Sequence, residues 1–266
     1  MAQARHENFP VASLLVPRRV RAHLLAVYGF ARLVDDAGDE AAGDRLELLD
    51  ELEADLERVW GGAPHNQLIA RLQPTVAACH LPIEPFRKLV DANRRDQLVD
   101  RYETYEDLLG YCELSANPVG ELVLRIFGAA TPERLALSDK VCSALQLTEH
   151  WQDVGEDFAR GRIYLPLADL RRFGVPEADL GAPAVSPALR AMMEFEVRRA
   201  RQLLDEGAPL VRELSGGAKM AVAAFVAGGR CALAAIERAG YQVLGAPPQA
   251  GHARRALEAV RTLIRG

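Results

Sequence analysis

LQLTEHWQDVGEDFARGRIYLP, residues 145–166, places Gln146, Glu149, Asp153 and Asp157 at offsets of three, four and four. That is the period of one stripe along an α-helix. Leu145, Leu147, Trp151 and Val154 lie on its flanks, so the helix is predicted to be buried there and its acidic stripe to face something other than bulk water. Just beyond, Arg160 and Arg162 add positive charge and Tyr164 a polar aromatic.

Working outward, a second stripe of the same kind stands more than a hundred residues upstream. In HLLAVYGFARLVDDAGDE, residues 23–40, Tyr28, Arg32, Asp35 and Asp39 share one helical face, Asp36 stands beside them, and Leu25, Val27, Phe30, Leu33 and Val34 surround them. Carboxylates one turn apart that lose hydration repel each other at a cost of several kcal/mol unless protons or cations compensate. A hard divalent cation such as Mg2+ takes oxygen ligands and bridges to phosphates, and Arg32 can meet a phosphate oxygen directly. Glu47, Glu51 and Asp55 repeat the spacing in the next helix beside Arg45 and Arg58, and these are read as a solvated face. One acidic stripe is easily a coincidence; two with apolar flanks argue for a diphosphate clamp.

Strand signals are nearly absent and apolar residues recur at helical spacing in every long segment, which predicts an all-α chain. Helices are expected over residues 17–39, from Asp44 to Gly61-Gly62 with a capping-box-like start at Asp44 and Glu47, over 82–99, and from Thr104 with Asp107 three residues on. Pro118 should kink or break the last of these around 115–120. Thr131-Pro132-Glu133 opens a long helix to about Arg160. Residues 161–186, rich in Gly and Pro, read as the one long loop, followed by helices over 187–206, 217–239 and 252–265. Those are too few to enclose a core of their own, so residues 1–266 are read as one domain.

A length of 266 residues is ample for a core or an internal cavity. The net charge of −5, with both signs interspersed, excludes a basic stripe and nucleic acid as the main partner. Cys79, Cys112, Cys142 and Cys231 show no zinc-like spacing and read as reduced core thiols of a cytoplasmic chain. No signal-peptide charge order is evident at the N-terminus. The apolar run 220–236 is split by Gly228, Gly229 and Arg230, a poor membrane span; peripheral contact with the inner membrane face stays open.

Three motifs in order resemble the squalene/phytoene synthases over nearly the whole chain: AVYGFARLVDDAGDE, YCELSANPVG at Tyr111 to Gly120, and the quoted stretch ending in GRIYLP. The resemblance implies an isoprenoid-synthase-type helical bundle around a central active-site cavity, with Asp35, Asp39, Asp153 and Asp157 as catalytic magnesium-binding residues and Asp36 and Glu149 as further ligands. It implies that Phe9, Tyr28, Arg32, Ala116, Val119, Gln146, Arg162 and Tyr164 bind substrate, and that Tyr111 steadies a carbocation or positions water. Hydrocarbon tails would lie along helix faces 119–127 and 222–233. His150 is expected to be merely packed or hydrogen-bonded.

ENFPVAS at Glu7 to Ser13, Asn117-Pro118 and Trp151-Gln152 are similar to the hydroxysqualene synthase branch, which implies conversion of presqualene diphosphate to hydroxysqualene and hand-over from a presqualene diphosphate synthase. Two departures stand out: Glu149 where the family commonly has Asn, and Gln152 in place of an arginine, which is expected to remove a cation facing the diphosphate. The alternatives are a head-to-head prenyl transferase making presqualene diphosphate or phytoene, and a catalytically silent helical assembly protein.

Overall fold

The computed structural model describes residues 18–246, 248 and 251–265; the expected contact at Phe9 and the motif at Glu7 to Ser13 lie outside them. Among the described residues fourteen α-helices follow one another: α1 Arg18–Asp39, α2 Arg45–Gly61, α3 Gln67–Ala70, α4 Gln73–Cys79, α5 Glu84–Leu98, α6 Tyr105–Ser115, α7 Asn117–Ile126, α8 Pro132–Gln152, α9 Val154–Ala159, α10 Leu167–Phe173, α11 Pro187–Gly207, α12 Leu210–Glu213, α13 Gly216–Arg238 and α14 His252–Arg265. The only extended pairing among the described residues is a single parallel bridge between Arg101 and Ile163.

Helix starts follow local chemistry. The Asp44 carboxylate accepts the N–H groups of Leu46 and Glu47 at 3.0 and 3.1 Å, Thr104 and Asp107 form a reciprocal capping box, and Thr131 accepts from Arg134. Pro118 divides the 104–127 region into α6 and α7, where the Asn117 side-chain oxygen accepts the Ser143 hydroxyl at 2.9 Å and ties α7 to α8.

Three expectations are corrected. The helix opened by Thr131 does not run to Arg160: Asp153 leaves helical geometry (φ −105°, ψ 13°), and α9 resumes after it. Residues 161–186 are not a plain loop but hold α10 and a 3₁₀ helix at Glu177–Gly181, because Leu170, Val175 and Leu180 have a core to enter. Asp55 is not solvated: it is 6% exposed and held by the backbone of the following loop.

Two apolar clusters organise the packing. One gathers α1 to α5 around Phe30, Leu49, Leu56, Ile69 and Phe86. The other gathers α6, α8 and α10 to α13 around Leu108, Leu147, Trp151, Met192 and Leu233. Helix α7 serves both, giving Leu122 and Ile126 to the first and Leu124 to the second. Helix α13 is long and apolar enough to cross a membrane, yet Val222, Ala223, Val226, Leu233 and Ile236 are buried in the core. All four cysteines are free, and all but the half-buried Cys79 are buried.

Candidate active site

A cavity of about 410 Å³ opens between the two clusters, lined from α1 and α5 on one side and from α6, α7, α8, α9 and α13 on the other. Its character changes along α1. Leu24 and Val27 line one end, Tyr28, Ala31 and Arg32 the middle, and Asp35 and Asp39 the other. From Leu24 to Asp39 the helix advances about 22 Å. The acidic end coincides with the C-terminus of α1, the negative pole of its dipole, and no basic residue occupies the last turn. Arg45 relieves part of that charge by donating to the carbonyls of Asp39 and Ala41.

Opposite lie Gln146, Glu149, His150, Asp153 and Asp157. The break at Asp153 does not rotate Asp157 away, because the Asp157 N–H still bonds the Asp153 carbonyl at 2.8 Å. Both acidic stripes thus border one space. They differ in setting: Asp35 and Asp39 are exposed at the mouth, contrary to the buried environment expected of them, whereas Asp153 and Asp157 are half-buried. Burial, then the charges of Asp157 and Glu156, pushes Asp153 up to about 6.

Asp36 does not border the cavity. One turn on from Arg32, it pairs with that guanidinium at 2.7 Å and so orients it. Gln152 is also turned away: it is buried and donates to the Pro248 carbonyl. The expectation that its identity alters the charge facing a diphosphate therefore fails, since the position does not line the cavity. Tyr28, Ala116 and Val119 do line it, and so do Arg160, Arg162 and Tyr164. The apolar wall from α13 comes from Met220, Ala221, Ala224 and Phe225 at its start, whereas the later residues of the expected 222–233 face pack into the core.

The GRIYLP segment is positioned by backbone geometry. Gly161 sits at φ +85°, where a side chain would be strained. Its carbonyl accepts from Arg101, and the Ile163 N–H bonds the Asp100 carbonyl at 2.9 Å. This turn delivers Arg162 across the mouth to Asp39 at 2.9 Å, linking the two motifs. Burial opposes the charge on Arg162, but Tyr164, Asp96 and Asp39 outweigh it and raise its pKa.

Two functional positions on α5 went unnoticed in the sequence. Asn93 donates to Asp35 at 3.2 Å, and Gly38 lets the helices meet, because a Cβ there would fall 2.3 Å from the Asn93 side-chain oxygen. Asp96 lines the cavity and accepts the hydroxyls of Tyr111 at 2.6 Å and Tyr164 at 3.2 Å. Burial holds its carboxyl above the ordinary range and the Tyr111 phenol well above its own. A signal existed: Asn93 and Asp96 continue the phase of buried Phe86, Leu89 and Val90, and polar residues in core phase mark an internal polar site. His150 is indeed packed, stacked on Tyr164 with ring centroids 3.8 Å apart, yet it also borders the cavity. Gln146 donates to its Nε2 at 3.2 Å, which leaves the Nδ1 proton toward Asp157 at 3.9 Å.

Six carboxylates (Asp35, Asp39, Asp96, Glu149, Asp153 and Asp157) face three arginines (Arg32, Arg160 and Arg162) in this cavity. No ready-made cluster of three His, Cys, Asp or Glu ligands occurs among the described residues. The surplus of hard oxygen donors fits magnesium, which takes one or two carboxylates and completes its shell with water and phosphate oxygens.

Comparison with known proteins agrees with this geometry. The family model for squalene/phytoene synthase matches residues 2–259. The 15-cis-phytoene synthase of Synechococcus elongatus is 34% identical over 89% of this chain and 82% of its own length. The hydroxysqualene synthase of Rhodopseudomonas palustris is 37% identical over 79% of this chain and 72% of its own length. Among solved structures, squalene synthase HpnC from Alicyclobacillus acidocaldarius superposes with a TM-score of 0.85 at 46% identity, covering 90% of this chain and 91% of that one. A dehydrosqualene synthase in complex with ligand gives 0.86 at 26% identity, over 94% and 88%. With two acidic stripes on one cavity and a family match over nearly its full length, this chain belongs to the squalene/phytoene synthase family and is an enzyme of isoprenoid biosynthesis.

Proposed function

We propose that the enzyme converts presqualene diphosphate to hydroxysqualene with release of diphosphate. The observation that carries this reading is the gradient along one cavity, from apolar side chains at Leu24, Val27, Val123 and Phe225 to carboxylates and arginines at the other end. Such a space suits a hydrocarbon with a diphosphate head. Likeness to a hydroxysqualene synthase and to squalene synthase HpnC supports the choice within the family.

Asp35, Asp39, Glu149, Asp153 and Asp157 are the residues that would hold magnesium, whose chemistry when bound is to neutralise the charge that develops on the departing diphosphate. Arg32, Arg160 and Arg162 bind the outer diphosphate oxygens. Arg162 must exchange its contact with Asp39 for the substrate. The apolar walls keep bulk water from the carbocation while it rearranges. The Tyr111 ring, packed with Tyr102 and Tyr164, faces the cation with its negative π surface. One captured water then yields the alcohol.

A second reading, head-to-head condensation of two allylic diphosphates to presqualene diphosphate or phytoene, is favoured by the likeness to phytoene synthases. Incubation of the purified protein and magnesium with presqualene diphosphate, farnesyl diphosphate or geranylgeranyl diphosphate, followed by identification of extracted lipids, separates the two. Hydroxysqualene from presqualene diphosphate is the expected result; presqualene diphosphate formed from farnesyl diphosphate, or phytoene from geranylgeranyl diphosphate, with no alcohol from presqualene diphosphate, rejects it.

A further inference from the structure

Asp96 belongs to neither acidic stripe, yet it lies in the cavity wall among aromatic side chains. Both of its oxygens accept phenolic protons, Oδ2 from Tyr111 at 2.6 Å and Oδ1 from Tyr164 at 3.2 Å. Two donors on two oxygens describe a carboxylate rather than a carboxylic acid. One helical turn after Tyr111, the Ser115 hydroxyl is buried without a hydrogen-bond partner and borders the same cavity. A buried hydroxyl with no partner is costly unless water or a ligand meets it. The nearby His150 is poorly placed to take a proton, since Gln146 occupies its Nε2.

We propose that Asp96 is the terminal proton acceptor of water capture, receiving through Tyr111 the proton released when a water held at Ser115 bonds to the carbocation. This rests on the hydroxysqualene reading. The water oxygen supplies the electron pair of the new carbon–oxygen bond. One water O–H bond breaks, its electrons remaining on oxygen, and the proton passes to the Tyr111 hydroxyl oxygen. The proton of Tyr111 moves to Asp96 Oδ2. The cation and the carboxylate become a neutral alcohol and a carboxylic acid, with no oxidant or reductant required.

The test is the ratio of alcohol to hydrocarbon elimination products formed from presqualene diphosphate and magnesium. That ratio is set after ionisation and is independent of how fast substrate is consumed. In Asp96→Asn the ratio is expected to fall by about tenfold or more, and Asp96→Glu, which keeps the acceptor, is expected to restore part of it. An unchanged ratio in Asp96→Asn, alongside alcohol from the wild type, overturns the role of Asp96 alone. Failure of the wild type to form alcohol overturns the functional reading and this inference together. Should Asp96→Asn not fold, the wild type in deuterium oxide carries the test. The relay moves solvent-derived protons whereas elimination loses a carbon-bound one, so the alcohol share falls; an unchanged share overturns the relay.

Discussion

Two acidic ridges in this chain share one spacing and have opposite fates. On α2, Glu47, Glu51 and Asp55 recur every four residues; across α8 and α9, Glu149, Asp153 and Asp157 do the same. Asp55 is buried, and it accepts the backbone N–H groups of His65 at 2.7 Å and Asn66 at 2.8 Å and the Arg58 guanidinium at 3.0 Å. Burial works to raise its pKa, but those donors outweigh it and hold the carboxyl low. Asp153 has Asp157 and Glu156 as close neighbours and is pushed up to about 6 by burial and their charge. A carboxylate whose donors come from its own chain is structural. One set among other acids depends on charge brought from outside.

The sharpest way to break this contrast is a pair of isosteric substitutions. Asp153→Asn is expected to lower kcat by about 10²–10³-fold while leaving the urea midpoint of the metal-free protein unchanged or raised. Asp55→Asn should do the reverse, costing about 2–4 kcal/mol of stability by weakening buried charged hydrogen bonds with kcat retained. If both variants lose stability and neither loses turnover, the distinction is wrong.

Ligand-induced stabilisation sharpens it further. Magnesium with inorganic diphosphate at about a hundred times its Kd should add about 2.7 kcal/mol to the wild type, read as a rise in Tm. The rise should survive in Asp55→Asn and vanish in Asp153→Asn.

The two residues should also oppose each other in pH. The folded pKa of Asp55 lies below its unfolded value, so its stabilisation is present above the ordinary carboxylate range and is lost as pH falls through the folded pKa. The folded pKa of Asp153 lies above its unfolded value of about 4. The metal-free folded state keeps a proton that the unfolded chain has released, so this contribution is present in acid and is lost as pH rises through about 6. Urea midpoints measured from about pH 2 to 7 should show Asp153→Asn flattening the loss on the alkaline side, between about pH 4 and 6, and Asp55→Asn flattening the loss in acid, below the ordinary carboxylate range.

The smallest effect concerns the first stripe. Asn93→Ala removes the donor to Asp35 and should weaken magnesium affinity by about tenfold, measured as the magnesium concentration giving half-maximal activity.

Both acidic stripes, the all-α architecture and nearly every long helix were legible in the sequence, because helical period and capping chemistry are local. Residues 35, 39, 153 and 157 announced themselves by spacing between apolar flanks. Asp55 shows where that logic stops: its spacing matches theirs, and only the fold of residues 62–66 over it decides that it is buried and satisfied. Gln152 and Asn117 carried a likeness to one branch of the family, yet their side chains serve Pro248 and Ser143 rather than the cavity.

The order of apolar and polar residues along the chain was enough to determine most of the long helices and that two stretches carry carboxylates in line. The tertiary structure alone decided that Asn93 and Asp96 join them from α5, that Asp36 and Gln152 do not, and that a turn at Gly161 brings Arg162 to Asp39. Helical period tells which residues share a face, a relation among neighbours. What that face meets depends on contacts between segments tens to more than a hundred residues apart, which no local spacing encodes.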